Sequence, residues 1–221
     1  MRRLLLTLEG IEGSGKSTQA QRLKAFLASR GIPAILTREP GGSPLAERIR
    51  EMVLTPGEEP LAPEAEVLLF LAARAQHVRR VIGPALDKGE VVICDRFADA
   101  TIAYQGGGRT MSDETLRSLN HWATGAISPT RTYLIDVPVD VGLARAKGRR
   151  ARSAPDRFES EGAPFFEAVR MRYLEMARSE PERFVVLRGT DPEEAIAHQI
   201  EKDVSSLLER PGSQSIEVNR K

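Results

Sequence analysis

The segment Gly10-Ile11-Glu12-Gly13-Ser14-Gly15-Lys16-Ser17 constrains this chain more than any other, because it satisfies G-x-x-x-x-G-K-[ST] at every position. A chance match has a probability below about one per cent, and the flanks agree with the pattern. Leu4 to Leu8 is an apolar run that predicts a buried strand, and beyond the motif Ala20, Leu23, Phe26 and Leu27 recur at helical spacing until Gly31. Glycines let backbone N–H groups converge on phosphate oxygens, and the following helix adds the positive end of its dipole. Lys16 is then expected to reach the β- and γ-phosphates and the Ser17 hydroxyl to ligate Mg²⁺. Gly10, Glu12, Gly13, Ser14, Gly15 and Thr18 complete the expected cradle. The segment predicts a site for a nucleoside triphosphate.

Strand and helix alternate through the rest of the chain. Further strands are expected at Pro33 to Thr37, Val91 to Cys94, Thr132 to Ile135 and Phe184 to Leu187, the middle two ending in Asp95 and Asp136. Helical spacing covers Pro44–Leu54, Glu64 to about Asp87, Ala98–Gln105, Asp113–Gly125 and Pro192 to about Glu209. This order predicts an α/β P-loop NTPase fold, a five-stranded parallel sheet with helices on both faces. One domain is expected over 1–209, with the polar stretch 210–221 as a flexible tail. In such sheets ligands sit at the carboxyl ends of the strands, where every motif here falls.

Composition excludes several functions. The 32 Lys+Arg against 31 Asp+Glu leave a net charge of +1, which argues against a nucleic-acid binder working through a basic face. A single cysteine, Cys94, excludes an intramolecular disulfide and fits a reducing, cytoplasmic setting. No run of 18 apolar residues exists, so no membrane partner is expected. His77, His121 and His198 show no metal-ligand spacing, and Cys94 reads as an inert core thiol.

The kind of P-loop protein is read from what surrounds the motif. The only asparagines are Asn120 and Asn219, and neither lies in an N-K-x-D guanine-reading segment. Thr37-Arg38-Glu39-Pro40-Gly41-Gly42 and Asp95-Arg96-Phe97 instead place two arginines at neighbouring strand ends, which suits a second phosphate. A non-catalytic ATP switch has no need of such a second set. Asp95 has two readings, a carboxylate holding Mg²⁺ through water or a partner that orients Arg96 and Lys16. Asp136 is expected to cap a helix starting near Asp140.

These segments, with Phe70-Leu-Ala-Ala-Arg74 and Ala103-Tyr-Gln-Gly-Gly-Gly-Arg109, resemble the thymidylate kinase family in order and spacing from about residue 3 to 205. The resemblance implies transfer of the ATP γ-phosphoryl group to dTMP with Mg²⁺, in a cytoplasmic homodimer packed through long helices. It implies that Phe70 stacks on thymine, Arg74 bonds the base edge and Gln105 lies near the base. Arg38 and Arg96 would grip the dTMP phosphate, Tyr104 would pack against the deoxyribose, and Glu12 would contact the sugar hydroxyl or the metal shell.

Members of the family differ in where the arginine that meets transition-state charge resides. Here Gly13 and Ser14 occupy the variable P-loop positions, so that charge must come from elsewhere. Arg145 to Arg157 carries six cations and reads as a mobile flap, the lid being about 145–160. The pattern resembles the bacterial subgroup with lid arginines, which makes Arg152 the first candidate, Arg150 the second and Arg149 the third.

Overall fold

The computed structural model describes residues 3–109, 111–149 and 157–209. Strands β1 (Leu5–Glu9), β2 (Ala34–Arg38), β3 (Val91–Asp95), β4 (Arg131–Asp136) and β5 (Phe184–Arg188) form one sheet in the order β2-β3-β1-β4-β5. All four pairings are parallel, with Leu8 beside both Asp95 and Tyr133. Parallel strands need covered faces, and β1 is buried along its whole length. Leu6 and Leu8 pack on one side against Leu23 and Leu27 of α1 (Lys16–Ser29) and Ile200 and Val204 of α9 (Glu193–Glu209). Leu5 faces the other layer. The chain moves from β1 outward to β2, returns to β3, and crosses β1 to β4. The carboxyl end of β1 therefore lies at the topological switch point, where such sheets bind ligands.

Helices α2 (Pro44–Leu54), α3 (Pro63–His77), α6 (Asp113–Thr124), α7 (Val139–Arg149) and α8 (Ala163–Ser179) complete the layers. Ser43 caps α2 by accepting from the Ala46 N–H, ahead of Pro44 at the first helical position. The helix expected from Glu64 to Asp87 is interrupted. After His77 a π turn spans Val78–Ile82, and α4 (Gly83–Asp87) resumes. Pro84 lacks the N–H that an α ladder requires, so the wider turn accommodates it. The helix α5 (Ala98–Thr101) likewise opens into a π segment, Ile102–Gly108.

Three expectations are corrected. Arg145–Arg149 is not flap but the last part of α7, because Val139 and Ala146 recur at helical spacing and are buried. Asp136 does not serve as a cap but takes Arg170 on both carboxylate oxygens, at 2.7 and 3.0 Å. Helix α8 had no counterpart among the expected elements. Its signal is nonetheless present, since Phe166, Val169, Tyr173 and Met176 follow helical spacing and are all buried. The candidates Arg150 and Arg152 lie outside the described residues, as does the tail 210–221.

Candidate active site

The motif at the end of β1 folds as a phosphate cradle. Gly10 has φ +140°, and a Cβ there would sit 2.5 Å from the Ile135 carbonyl oxygen. Gly13 has φ +73° with its Cβ position 2.0 Å from the Gly142 oxygen, so only glycine permits this turn against α7. No side chain caps α1, which leaves its first backbone N–H groups for an anion. Ser14 and Lys16 are buried, and Ser17 and Thr18 stand exposed on the first turn.

Lys16 folds back on the loop. Its ammonium donates to the Gly10 carbonyl at 3.1 Å, the Ile11 carbonyl at 2.8 Å and Ser14 Oγ at 3.2 Å. Burial, and then the nearby Arg96 guanidinium, hold its pKa down at about 8. Ser17 Oγ donates to Asp95 Oδ2 at 2.5 Å, so the hydroxyl and the strand-end carboxylate stand side by side. No group of three or more His, Cys, Asp or Glu able to hold a metal occurs among the described residues. A hydroxyl and one carboxylate suit a hard cation that takes its other oxygens from water and phosphate.

Arg96 bridges the two halves of the site. It adopts φ +67°, donates to the Gly10 carbonyl at 2.9 Å and to Glu12 at 2.5 Å, and lies over the Tyr104 ring. Arg38 is paired with Glu47 at 2.9 Å and is exposed. Arg38, Lys16, Asp95 and Arg96 line one cleft with Glu12 and Gly13.

Beyond Arg96 a pocket of about 80 Å³ opens, which brings together Phe70, Arg74, Tyr104 and Gln105 with Pro40, Phe97, Ala100 and Phe158. Arg74 is only 3% exposed and is largely committed to protein. Nε donates to Glu39 at 2.6 Å, Nη1 to Thr101 and Asn120, and Nη2 to the Phe97 carbonyl at 3.0 Å. Of the five N–H groups of an arginine, one on Nη2 remains. Behind it, His77 bonds Glu39 through Nδ1 and Thr37 through Nε2. Gln105 Nε2 donates to Glu66 at 2.8 Å. The Tyr104 hydroxyl is buried with no hydrogen-bond partner among the described residues.

Sequence reasoning missed Glu39, Glu66 and Phe158. Glu39 and Glu66 sit beside motif residues, but nothing local marks which cation each meets. Phe158 enters from beyond the arginine-rich stretch and packs on Tyr104 with ring centroids 5.6 Å apart. Cys94 is buried as expected, its thiol pKa pushed well up by burial.

Glu9, at the end of β1, is fully buried and accepts from the Phe97 N–H and the Tyr173 hydroxyl, each at 2.7 Å. Burial, and then Asp99, push its pKa up to about 8. The folded protein therefore holds this proton more tightly than the unfolded chain does. The stabilisation is complete below the ordinary value of 4.5 and is lost as pH rises through about 8. Glu9→Gln is expected to remove that dependence, so its melting temperature relative to the parent climbs between about pH 5 and pH 9. A flat difference across the range would show that Glu9 does not titrate there.

A phosphate cradle joined through an arginine to a second, aromatic-walled pocket defines a P-loop nucleotide kinase. The family model described as thymidylate kinase matches residues 8–200. The chain belongs to the thymidylate kinase family. It is 51% identical over 207 residues to a thymidylate kinase of Pseudomonas putida (strain W619), covering 94% of this chain and 99% of that one. To that of Pseudomonas fluorescens (strain SBW25) it is 52% identical, covering 94% and 97%. The crystal structure of thymidylate kinase from Ehrlichia chaffeensis superposes with a TM-score of 0.71 at 30% identity, over 93% of this chain and 98% of the other.

Proposed function

We propose that this kinase transfers the γ-phosphoryl group of ATP to the phosphate of dTMP, releasing ADP and dTDP on the route to dTTP. The observation that carries the reading is the pocket beyond Arg96, where an aromatic wall and a donor–acceptor pair meet next to the P-loop. Phe70 offers a face for the base. The remaining Nη2 N–H of Arg74 suits the O4 carbonyl of thymine, and the Gln105 carbonyl suits its N3–H. Tyr104 closes on the sugar, with its orphaned hydroxyl toward the ribose edge. Arg96 and Arg38 take the acceptor phosphate, and Glu12 stands between the two substrates.

The donor cradle is Gly10 to Thr18, with Lys16 on the triphosphate. Mg²⁺ fits the oxygen pair of Ser17 and Asp95, where it would neutralise charge on the β- and γ-phosphates. The charge on the transferring group is met by an arginine of 149–152, Arg152 before Arg150. A lone buried thiol fits a reducing cytoplasm. Among the described residues no helix is long and apolar enough to cross a membrane.

A panel of monophosphates with coupled detection of ADP tests the assignment. dTMP is expected to exceed dCMP by roughly 10⁴-fold in kcat/KM, because cytosine sets a donor against Arg74 and an acceptor against Gln105. dUMP is expected to be slower by about 10- to 200-fold, the worth of one methyl group. Turnover of none of them would refute the activity, and equal use of dCMP and dTMP would refute the pocket.

We assign the dimer interface to the helices α2, α3 and α6, which pack side by side. They expose Leu45 and Met52, Leu68, and Trp122, which is 81% accessible. Apolar groups on adjoining helices favour a second copy of the chain. Trp122→Glu is expected to convert dimer to monomer in analytical ultracentrifugation at micromolar concentration. A parent protein that sediments as a monomer would exclude the dimer.

A further inference from the structure

We propose that Glu66 is a positioning residue that dictates which atom of the Gln105 amide faces the acceptor base, and through it the choice of pyrimidine. Glu66 does not line the acceptor pocket. It stands one and two helical turns before Phe70 and Arg74 on α3, at i, i+4 and i+8, so the three share a face. It is only 1% exposed.

Both of its oxygens are engaged. Oε1 accepts from Gln105 Nε2 at 2.8 Å. Oε2 accepts from Arg157 Nη2 at 2.5 Å, with Arg109 Nη2 3.6 Å away. A carboxylate that faces guanidinium groups accepts and does not donate. The Gln105 amide must therefore turn its N–H₂ end toward Glu66. The reverse orientation would oppose two acceptors at a site where Gln105 is 2% exposed and water cannot relieve them. With nitrogen committed, the carbonyl oxygen is the end left for the pocket that Gln105 lines. No described residue donates to that oxygen.

An unconstrained glutamine is ambivalent, since rotation by half a turn exchanges donor for acceptor. It would satisfy the N3–H of a pyrimidine-2,4-dione and the bare N3 of cytosine alike. Glu66 removes that choice. Arg157 and Arg109 hold its second oxygen, and Arg157 also donates to the Val53 carbonyl of α2 at 3.1 Å. The orientation of one amide thus depends on three side chains far apart in sequence, Glu66, Arg109 and Arg157.

The inference rests on the dTMP-kinase reading, and the experiment separates the two. kcat/KM for dTMP and for dCMP is measured in the parent, Glu66→Gln, Gln105→Ala and the double variant, at full length. In Glu66→Gln the dTMP-to-dCMP ratio is expected to fall at least tenfold. The change should lie in KM for the monophosphates, with KM for ATP within twofold. In the Gln105→Ala background the same substitution should move the ratio by less than twofold. A merely structural role predicts proportional losses for both substrates, and that result overturns the proposal. So does an equal shift with and without Gln105. Should Glu66→Gln fail to fold, Glu66→Ser replaces it with the same two criteria. A parent that phosphorylates no monophosphate refutes the activity, whereas normal dTMP turnover with an unmoved ratio refutes the role of Glu66 alone.

Discussion

Lys16→Ala is expected to lower kcat by about 10³-fold while dTMP binds as tightly as before. Lys16 is the only cation within the P-loop, and its three donors are spent on the loop's own oxygens in the structure described here. A triphosphate must exchange those contacts for its own, and the gain is largest where charge builds during transfer. With the free-state pKa held at about 8, part of the protein carries a neutral Lys16 at mildly alkaline pH. Triphosphate oxygens favour the charged form, so binding draws a proton and donor affinity falls as pH rises through about 8. Calorimetry near pH 9 in buffers of different ionisation enthalpy should register that uptake, and Lys16→Ala should abolish it. Arg96→Ala is the reciprocal control. It is expected to weaken dTMP at least tenfold, the direction for a lost charge-assisted pair, and to leave ATP nearly unaffected. Loss of ATP with retention of dTMP would show the two sites to be reversed.

Arg152→Ala is expected to lower kcat by at least roughly a hundredfold, with KM for dTMP little changed. The transferring phosphoryl group gathers charge, and the P-loop, with Gly13 and Ser14 at its variable positions, meets it with backbone N–H groups and Lys16 alone. Three described arginines nearby already have partners. Arg96 holds Gly10 and Glu12, Arg38 holds Glu47, and Arg50 donates to the Pro40 carbonyl. Among the cations of the sequence, Arg149, Arg150 and Arg152 are the ones proposed above to supply that charge. Arg152→Lys should rescue poorly, because an ammonium lacks the planar fork that spans two phosphate oxygens. If Arg149→Ala, Arg150→Ala and Arg152→Ala all retain near-normal kcat, the charge comes from another group.

The P-loop, five strands and most helices were legible in the chain because each depends on neighbours a few residues apart. G-x-x-x-x-G-K-S sets backbone freedom, charge and hydroxyl within one turn, and runs such as Val91–Cys94 announce a strand covered on both faces. The failures came where charge or pairing outweighed the local apolar pattern. Arg145–Arg149 was read by its charge when Val139 and Ala146 already carried a helical repeat.

What the sequence determined by itself is this local grammar, together with the phosphate cradle it builds. Tertiary structure alone decided how the cradle and pocket are charged and aimed. Arg74 meets Glu39 across 35 residues and Asn120 across 46, and Gln105 meets Glu66 across 39. The Lys16 ammonium is destabilised by burial beside an arginine that arrives from β3. Desolvation and pairing are properties of an assembled environment, with energies set by which groups share a water-free volume. Sequence spacing reports which groups can share a helix turn or a loop, and the crossing of β1 by the chain is what brings the others together.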